Sequence, residues 1–196
     1  MKRLALAALA LIAASLGGCV TPVGPVQVTR FHAADVSPLG KGTIAVEPAP
    51  GSDPASLEWQ TYRAAVTRQL ILLGYSEAKP GSGGQVALVR LARRTLEPPE
   101  SSPVSVGVGG STGTYGSGVG LGVGINLSPK PAAEIATDLS VSIRDRTSGV
   151  TLWEGRATFA VSSKSPLATT ALGAPKMSEA LFAGFPGQSG ETIEVK

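Results

Sequence analysis

The chain has 196 residues, 42% of them hydrophobic, with one cysteine, one histidine and a formal charge of +3. That is enough chain for one domain with its own core, but a disulfide or a multi-His/Cys metal site is excluded, and neither a metal nor a cofactor is expected. No Lys/Arg run is interleaved with aromatic residues, so nucleic acid is a poor partner.

Met1-Lys2-Arg3 is a short basic start, and residues 4–16 follow without a charge, dominated by Ala, Leu and Ile. That length matches the apolar core of a signal peptide and is too short to span a bilayer of ~30 Å. Small residues then lead into the single cysteine. Leu16-Gly17-Gly18-Cys19 resembles the bacterial lipobox: Leu, a small residue, Gly or Ala, then Cys. The resemblance implies diacylglyceryl transfer to the Cys19 sulfur, cleavage before Cys19 and acylation of the new amino group, with the thiolate as nucleophile. The other reading is a secretory signal followed by an incidental cysteine. Two or three acyl chains on one residue would anchor the protein permanently, since each buried CH₂ contributes ~0.8 kcal/mol. Val20 follows the cysteine where an Asp would favour retention in the inner membrane, so the expected place is the outer membrane, facing the periplasm. The expected organisation is a signal peptide over 1–18, a lipidated tether over 19–27, one domain over 28–186 with a glycine-rich insertion over 104–127, and a flexible tail over 187–196. Lys2 and Arg3 leave with the leader, so the mature chain is less basic than its sequence pI of about 9.2 suggests. No later apolar run approaches the length of a membrane span.

Pro22 and Pro25 keep the tether from forming a helix. Residues 28–32 alternate polar and apolar, as a half-buried strand does, and 42–47 reads as a second strand ended by Pro48-Ala49-Pro50-Gly51. Ser52-Asp53-Pro54 looks like a helix start. Leu57, Tyr62, Val66, Leu70 and Leu73 then form one apolar face of a helix over about 54–73, with Gly74 as its stop. Residues 85–91 form a strand, with Val86, Leu88 and Arg90 on one face. Arg90, Arg93 and Arg94 read as a solvated strand surface.

Between residues 105 and 126 every second or third residue is glycine. Three readings are open: a hairpin with one bulky and one bare face around a tip near Tyr115, a glycine zipper on Gly116, Gly120 and Gly124, or a disordered loop. A phosphate-binding loop lacks its G-x-G-x-x-G or G-K-[ST] pattern. Residues 133–144 form a strong strand. Asp145-Arg146-Thr147-Ser148-Gly149 is a turn, and residues 150–161 return. A short helix over about 176–182 points Met177, Leu181 and Phe182 inward, and the tail beyond Gly187 reads as frayed.

Several of these features resemble one lipoprotein family. They are Gln69-Leu70 through Leu73-Gly74-Tyr75, the Val-rich strand after it, the glycine-rich insertion, Asp138 through Asp145, Thr147-Ser148-Gly149 through Leu152-Trp153-Glu154-Gly155-Arg156-Ala157, and a last helix closing on Phe185-Pro186. Their order resembles the domain of unknown function 4136 family over roughly residues 27–186. The resemblance implies a periplasm-facing lipoprotein with an α+β fold, and no activity.

His32 is the one imidazole a catalytic triad could use, and neither Gly74-Tyr75-Ser76 nor Gly187-Gln188-Ser189 completes a nucleophile elbow. Glu134, Asp138 and Asp145 lie on or beside one hairpin, where turn caps and solvated faces are the ordinary roles of carboxylates. Trp153, with Gly155 two residues on, is either a core aromatic over a small residue or a stacking platform for a glycan or peptide. Trp59 carries the same ambiguity. The expectation is an α+β domain, an antiparallel β-sheet of about five or six strands with two helices packed on one face. Its expected role is non-enzymatic: a binding or scaffolding module held to the membrane through lipidated Cys19, meeting an envelope protein partner through Tyr115 or Trp153. The alternatives are a binder of a small apolar or lipid ligand between sheet and helices, and a cell-wall hydrolase.

Overall fold

A computed structural model describes residues 23–98, 104–113, 116–125 and 131–196. The elements in chain order are β1 (Val26–His32), β2 (Thr43–Pro48), α1 (Leu57–Leu72), β3 (Ser76–Glu77), β4 (Gln85–Leu96), β5 (Val104–Gly113), β6 (Gly116–Ile125), β7 (Glu134–Asp145), β8 (Thr151–Ser162), α2 (Thr170–Phe182) and β9 (Thr192–Val195). Seven strands form one sheet in the order β3-β2-β4-β7-β8-β1-β9, and β5 pairs with β6 in a separate two-stranded ribbon. The α+β class agrees with the sequence reading. The sheet has more strands than expected and is mixed, because α1 carries the chain back to the starting end of β2, so β4 must run parallel to it.

The centre is the long antiparallel pairing of β4, β7 and β8. Gln85 to Leu96 run opposite Asp145 to Glu134 without a break. The β7–β8 turn closes as its residues suggest: the Asp145 carboxylate accepts from the Ser148 amide at 2.8 Å, and the Gly149 amide donates to the Asp145 carbonyl at 2.9 Å. In the glycine-rich segment the backbone of β5 and β6 is an antiparallel hairpin, with Val104 opposite Ile125 and Gly113 opposite Gly116.

Strand alternation sends Leu139, Val141, Ile143, Trp153, Ala157 and Phe159 to one side of the sheet, where α1 and α2 cover them. α1 starts later than Asp53-Pro54 suggests. Asp53 is used in a preceding turn, accepting from the Ala55 amide at 2.9 Å, and Ser56 caps the helix by accepting from the Trp59 amide. Leu57 is therefore outside the apolar face, 80% exposed, and Trp59 takes its place in the core. α2 begins six residues earlier than expected, running straight through Pro175. The proline loses one helical hydrogen bond, which the burial of Ala174, Met177, Ala180, Leu181 and Phe182 offsets.

The C-terminal tail also departs from expectation. β9 pairs with β1 from Val26 opposite Val195 to Thr29 opposite Thr192, and Ile193 and Val195 pack against the core. Four residues alternating in and out are too few to stand out in the sequence, but they satisfy an edge of β1 that would otherwise be bare.

Candidate functional site

The helices cover one face of the sheet. Among the described residues no helix covers the other face, which carries the outward-pointing residues of the central strands, most of them polar. Its residues fall in rows set by register. One row runs Leu88 (β4), Ser142 (β7), Glu154 (β8), Phe31 (β1); the next runs Arg90, Ser140, Arg156, Thr29 across the same strands. Arg144 lies beyond Ser142, just past a bulge between Ile143 and Arg144. Together these residues line a shallow trough of about 490 Å³, closed on one side by Ala49 and Pro50.

The trough holds three guanidinium groups and one carboxylate, Glu154. The ion pairs among the described residues use Arg30, Arg93, Arg94 and Arg146, with Glu191, Glu58, Asp138 and Glu47 in that order. Arg90, Arg144 and Arg156 are in none of them. Arg90 Nη2 donates to the Pro50 carbonyl at 3.2 Å, and Arg144 Nε donates to Ser142 Oγ at 3.3 Å. Ser142 in turn donates to Glu154 Oε1 at 3.3 Å. These bonds orient two of the arginines, and among the described residues most of their five donors have no other partner. Phe31 is 53% exposed on the same face.

Trp153 is not a surface platform. It is completely buried, its indole stacks on Phe182 with centroids 5.3 Å apart, Phe185 leans on it at 5.2 Å, and its N–H donates to the Pro186 carbonyl at 3.0 Å. One ring face and the polar edge are thus engaged within the chain, and none of the residue is exposed. Trp59 is also a core residue, 6% exposed. Cys19 and Tyr115 lie outside the described residues.

His32 closes β1, with Nδ1 2.7 Å from the Ala33 carbonyl and its backbone amide donating to Ser189 Oγ. Glu134 and Asp145 stand at opposite ends of the twelve-residue β7, separated by roughly 35 Å at strand rise, so the three carboxylates do not converge. Asp138 instead pairs with Arg94 at 2.8 Å and accepts from Thr158 at 2.8 Å. Arg93 is not part of the open surface. It turns to the helical layer, bonding Glu58, Thr170 and the Ala168 carbonyl. Among the described residues no group of His, Cys, Asp or Glu is arranged to hold a metal ion, and no helix is long and apolar enough to cross a membrane.

The sequence reading did not assemble Phe31, Arg90, Arg144 and Arg156. Each lies on a segment that the sequence reads as a strand. What brings them together is the strand order, which places β1 beside β8 although they are far apart in the chain.

No protein-family model matches the chain. An uncharacterised protein of Zymomonas mobilis is 26% identical over 215 aligned positions, covering 88% of this chain and 80% of that protein. Among solved structures, a PDZ domain protein from Parabacteroides distasonis aligns with 94% of this chain at 10% identity and a TM-score of 0.46; the chain spans only 41% of that protein's length. The PelC dodecamer from Paraburkholderia phytofirmans aligns over 80% of this chain and 96% of its own at 13% identity and a TM-score of 0.42.

Proposed function

We propose that the protein is a lipid-anchored, non-enzymatic binding module of the bacterial cell envelope, of the kind implied by the resemblance to the domain of unknown function 4136 family. It is held at Cys19 in the outer membrane and faces the periplasm. The observation that carries the binding reading is the open sheet face: a broad surface with three arginines outside any described ion pair and an exposed phenylalanine, opposite a fully covered one. The anchor reading rests on Leu16-Gly17-Gly18-Cys19. A ligand lodged between sheet and helices is less well supported, because that space is filled by Trp153, Tyr62, Leu70, Met177 and Leu181, each no more than 1% exposed.

Two measurements test it. A photoreactive residue at position 31, introduced into the full chain in living cells, should give a discrete adduct that the same residue at Arg68, on the helical layer, does not. No adduct at 31, or the same adduct at both positions, removes the open face as the contact. Independently, wild-type protein should fractionate with outer membranes and take up labelled palmitate, and Cys19→Ala should do neither. A wild-type chain that stays soluble overturns the anchor.

A further inference from the structure

We propose that the ligand of the open face is an acidic saccharide, a chain of sugars bearing carboxylate or phosphate groups, gripped by Arg90 and Arg156 and packed on Phe31. This rests on the open face being the binding surface and adds the chemistry that the surface selects.

Charge is the first argument. Within the trough, three guanidinium groups face one carboxylate, and that carboxylate is partly engaged by the Ser142 hydroxyl. The remaining guanidinium donors suit an oxyanion, because the planar fork matches carboxylate and phosphate geometry. A cationic or neutral partner would leave this excess positive charge uncompensated.

Spacing is the second. Register puts Arg90 and Arg156 on either side of Ser140 in one row, two strand spacings apart, ~9.5 Å at the backbone. Two forks at that separation serve two anionic groups on an extended ligand better than one isolated ion. Arg144 lies farther along the strand direction, off that line, and would meet a third group or a branch.

The third argument separates a sugar from a bare anion or an acyl chain. Phe31 offers an exposed apolar ring one row from Arg156, suited to the C–H face of a sugar ring. Hydroxyls share the trough with it, Ser140, Ser142 and Thr29, the last already paired with Thr192 at 2.8 Å, together with the apolar Leu88, Ala49 and Pro50. A free phosphate has no use for the ring, and an acyl chain has no use for the hydroxyls.

The test is calorimetric titration of the full chain, purified in detergent, with an oligogalacturonate, a neutral malto-oligosaccharide and inorganic phosphate. Oligogalacturonate should bind, and the neutral saccharide should not. Arg90→Gln and Arg156→Gln should each weaken binding roughly tenfold, the size expected for one charge-assisted contact, while Arg68→Gln, which removes the same charge from the helical layer, should not. Phe31→Ser should weaken oligogalacturonate without restoring any preference for phosphate. Each variant changes an exposed side chain, and unchanged thermal melting checks that the fold persists. Equal binding of the neutral saccharide, binding of phosphate alone, or indifference to both arginine substitutions overturns the proposal while leaving a contact surface in place. Absence of binding to all three probes also overturns it, and the adduct at position 31 then decides separately whether the open face is a contact at all.

Discussion

Trp153 lies across Gly155. The two residues point to the same side of β8, and a Cβ built on Gly155 would collide with the Trp153 indole and come within 2.8 Å of Leu181 Cδ1. The glycine is there for space, since the indole occupies the volume its side chain would need. Gly155→Ala should therefore overpack the core and destabilise the protein by about 2 kcal/mol, read as a lower midpoint of denaturant unfolding. Gly24→Ala, where nothing lies within 4 Å of the new Cβ, should leave the midpoint unchanged. Equal midpoints for wild type and Gly155→Ala would mean that Trp153 can be moved without cost.

Arg30 ties three parts of the chain together. It is 1% exposed, donates from Nη1 to the Ala183 carbonyl at the end of α2 at 2.6 Å, and holds Nε 3.5 Å from Glu191 just before β9. Gly187 makes the path, because a Cβ there would stand 2.5 Å from Arg30 Cδ. Arg30→Met keeps most of the apolar stem but leaves the Ala183 carbonyl without its donor and Glu191, which still accepts from the Gln188 amide at 3.0 Å, without its cationic partner. Glu191 retains some solvent, so the loss should be about 2–3 kcal/mol, at the low end for breaking a buried pair. Arg30→Lys should recover only part of it, since one ammonium cannot reproduce the fork. Full recovery by lysine would reduce the role of Arg30 to a single charge.

Much of this fold is legible in the sequence, and the reasons for the exceptions are physical. The β7–β8 hairpin could be read because alternation, turn chemistry and strand length agree locally. The inward set on α2 was legible for the same reason, from Met177, Leu181 and Phe182. α1 was displaced because Asp53 and Ser56 are both competent caps, and only packing selects the one that buries Trp59. The parallel placement of β4 beside β2 was hidden because pairing partners are a property of the whole chain. The open face was hidden likewise: Phe31 and Glu154 are neighbours only through the β1–β8 register.

β9 gives a direct check of the C-terminal end. Deleting residues 192–196 removes the half-buried Ile193 and Val195 and the pairing with β1. At roughly half burial, the two side chains contribute about 2 kcal/mol together. The shortened chain should unfold correspondingly earlier, and the β1 amides that face β9 should lose protection from hydrogen exchange. A frayed tail would cost nothing in either measurement.

Acid should weaken the protein partly through Glu47. Burial alone would push its carboxyl up, but the Gly81 amide at 2.7 Å and the Arg146 guanidinium at 2.6 Å outweigh that and hold it below the ordinary value of 4.5. A carboxylate with a lowered pKa in the folded state adds stability above the unfolded value, and that stability is lost as pH falls through 4.5 and on through the folded value. Arg146→Gln removes one of the two groups holding it down. The variant should be less stable than wild type by about 1 kcal/mol at neutral pH, and the two should converge in acid, where Glu47 is protonated in both. Some acid sensitivity should survive in the variant. Asp35, held low by the Ser37 hydroxyl and amide, and Asp145, held low by the Ser148 amide and hydroxyl, titrate in the same direction and do not depend on Arg146. Unfolding midpoints of both proteins from neutral pH down to below 4 check this directly. A constant difference across that range would mean that Arg146 acts through packing rather than through the charge on Glu47.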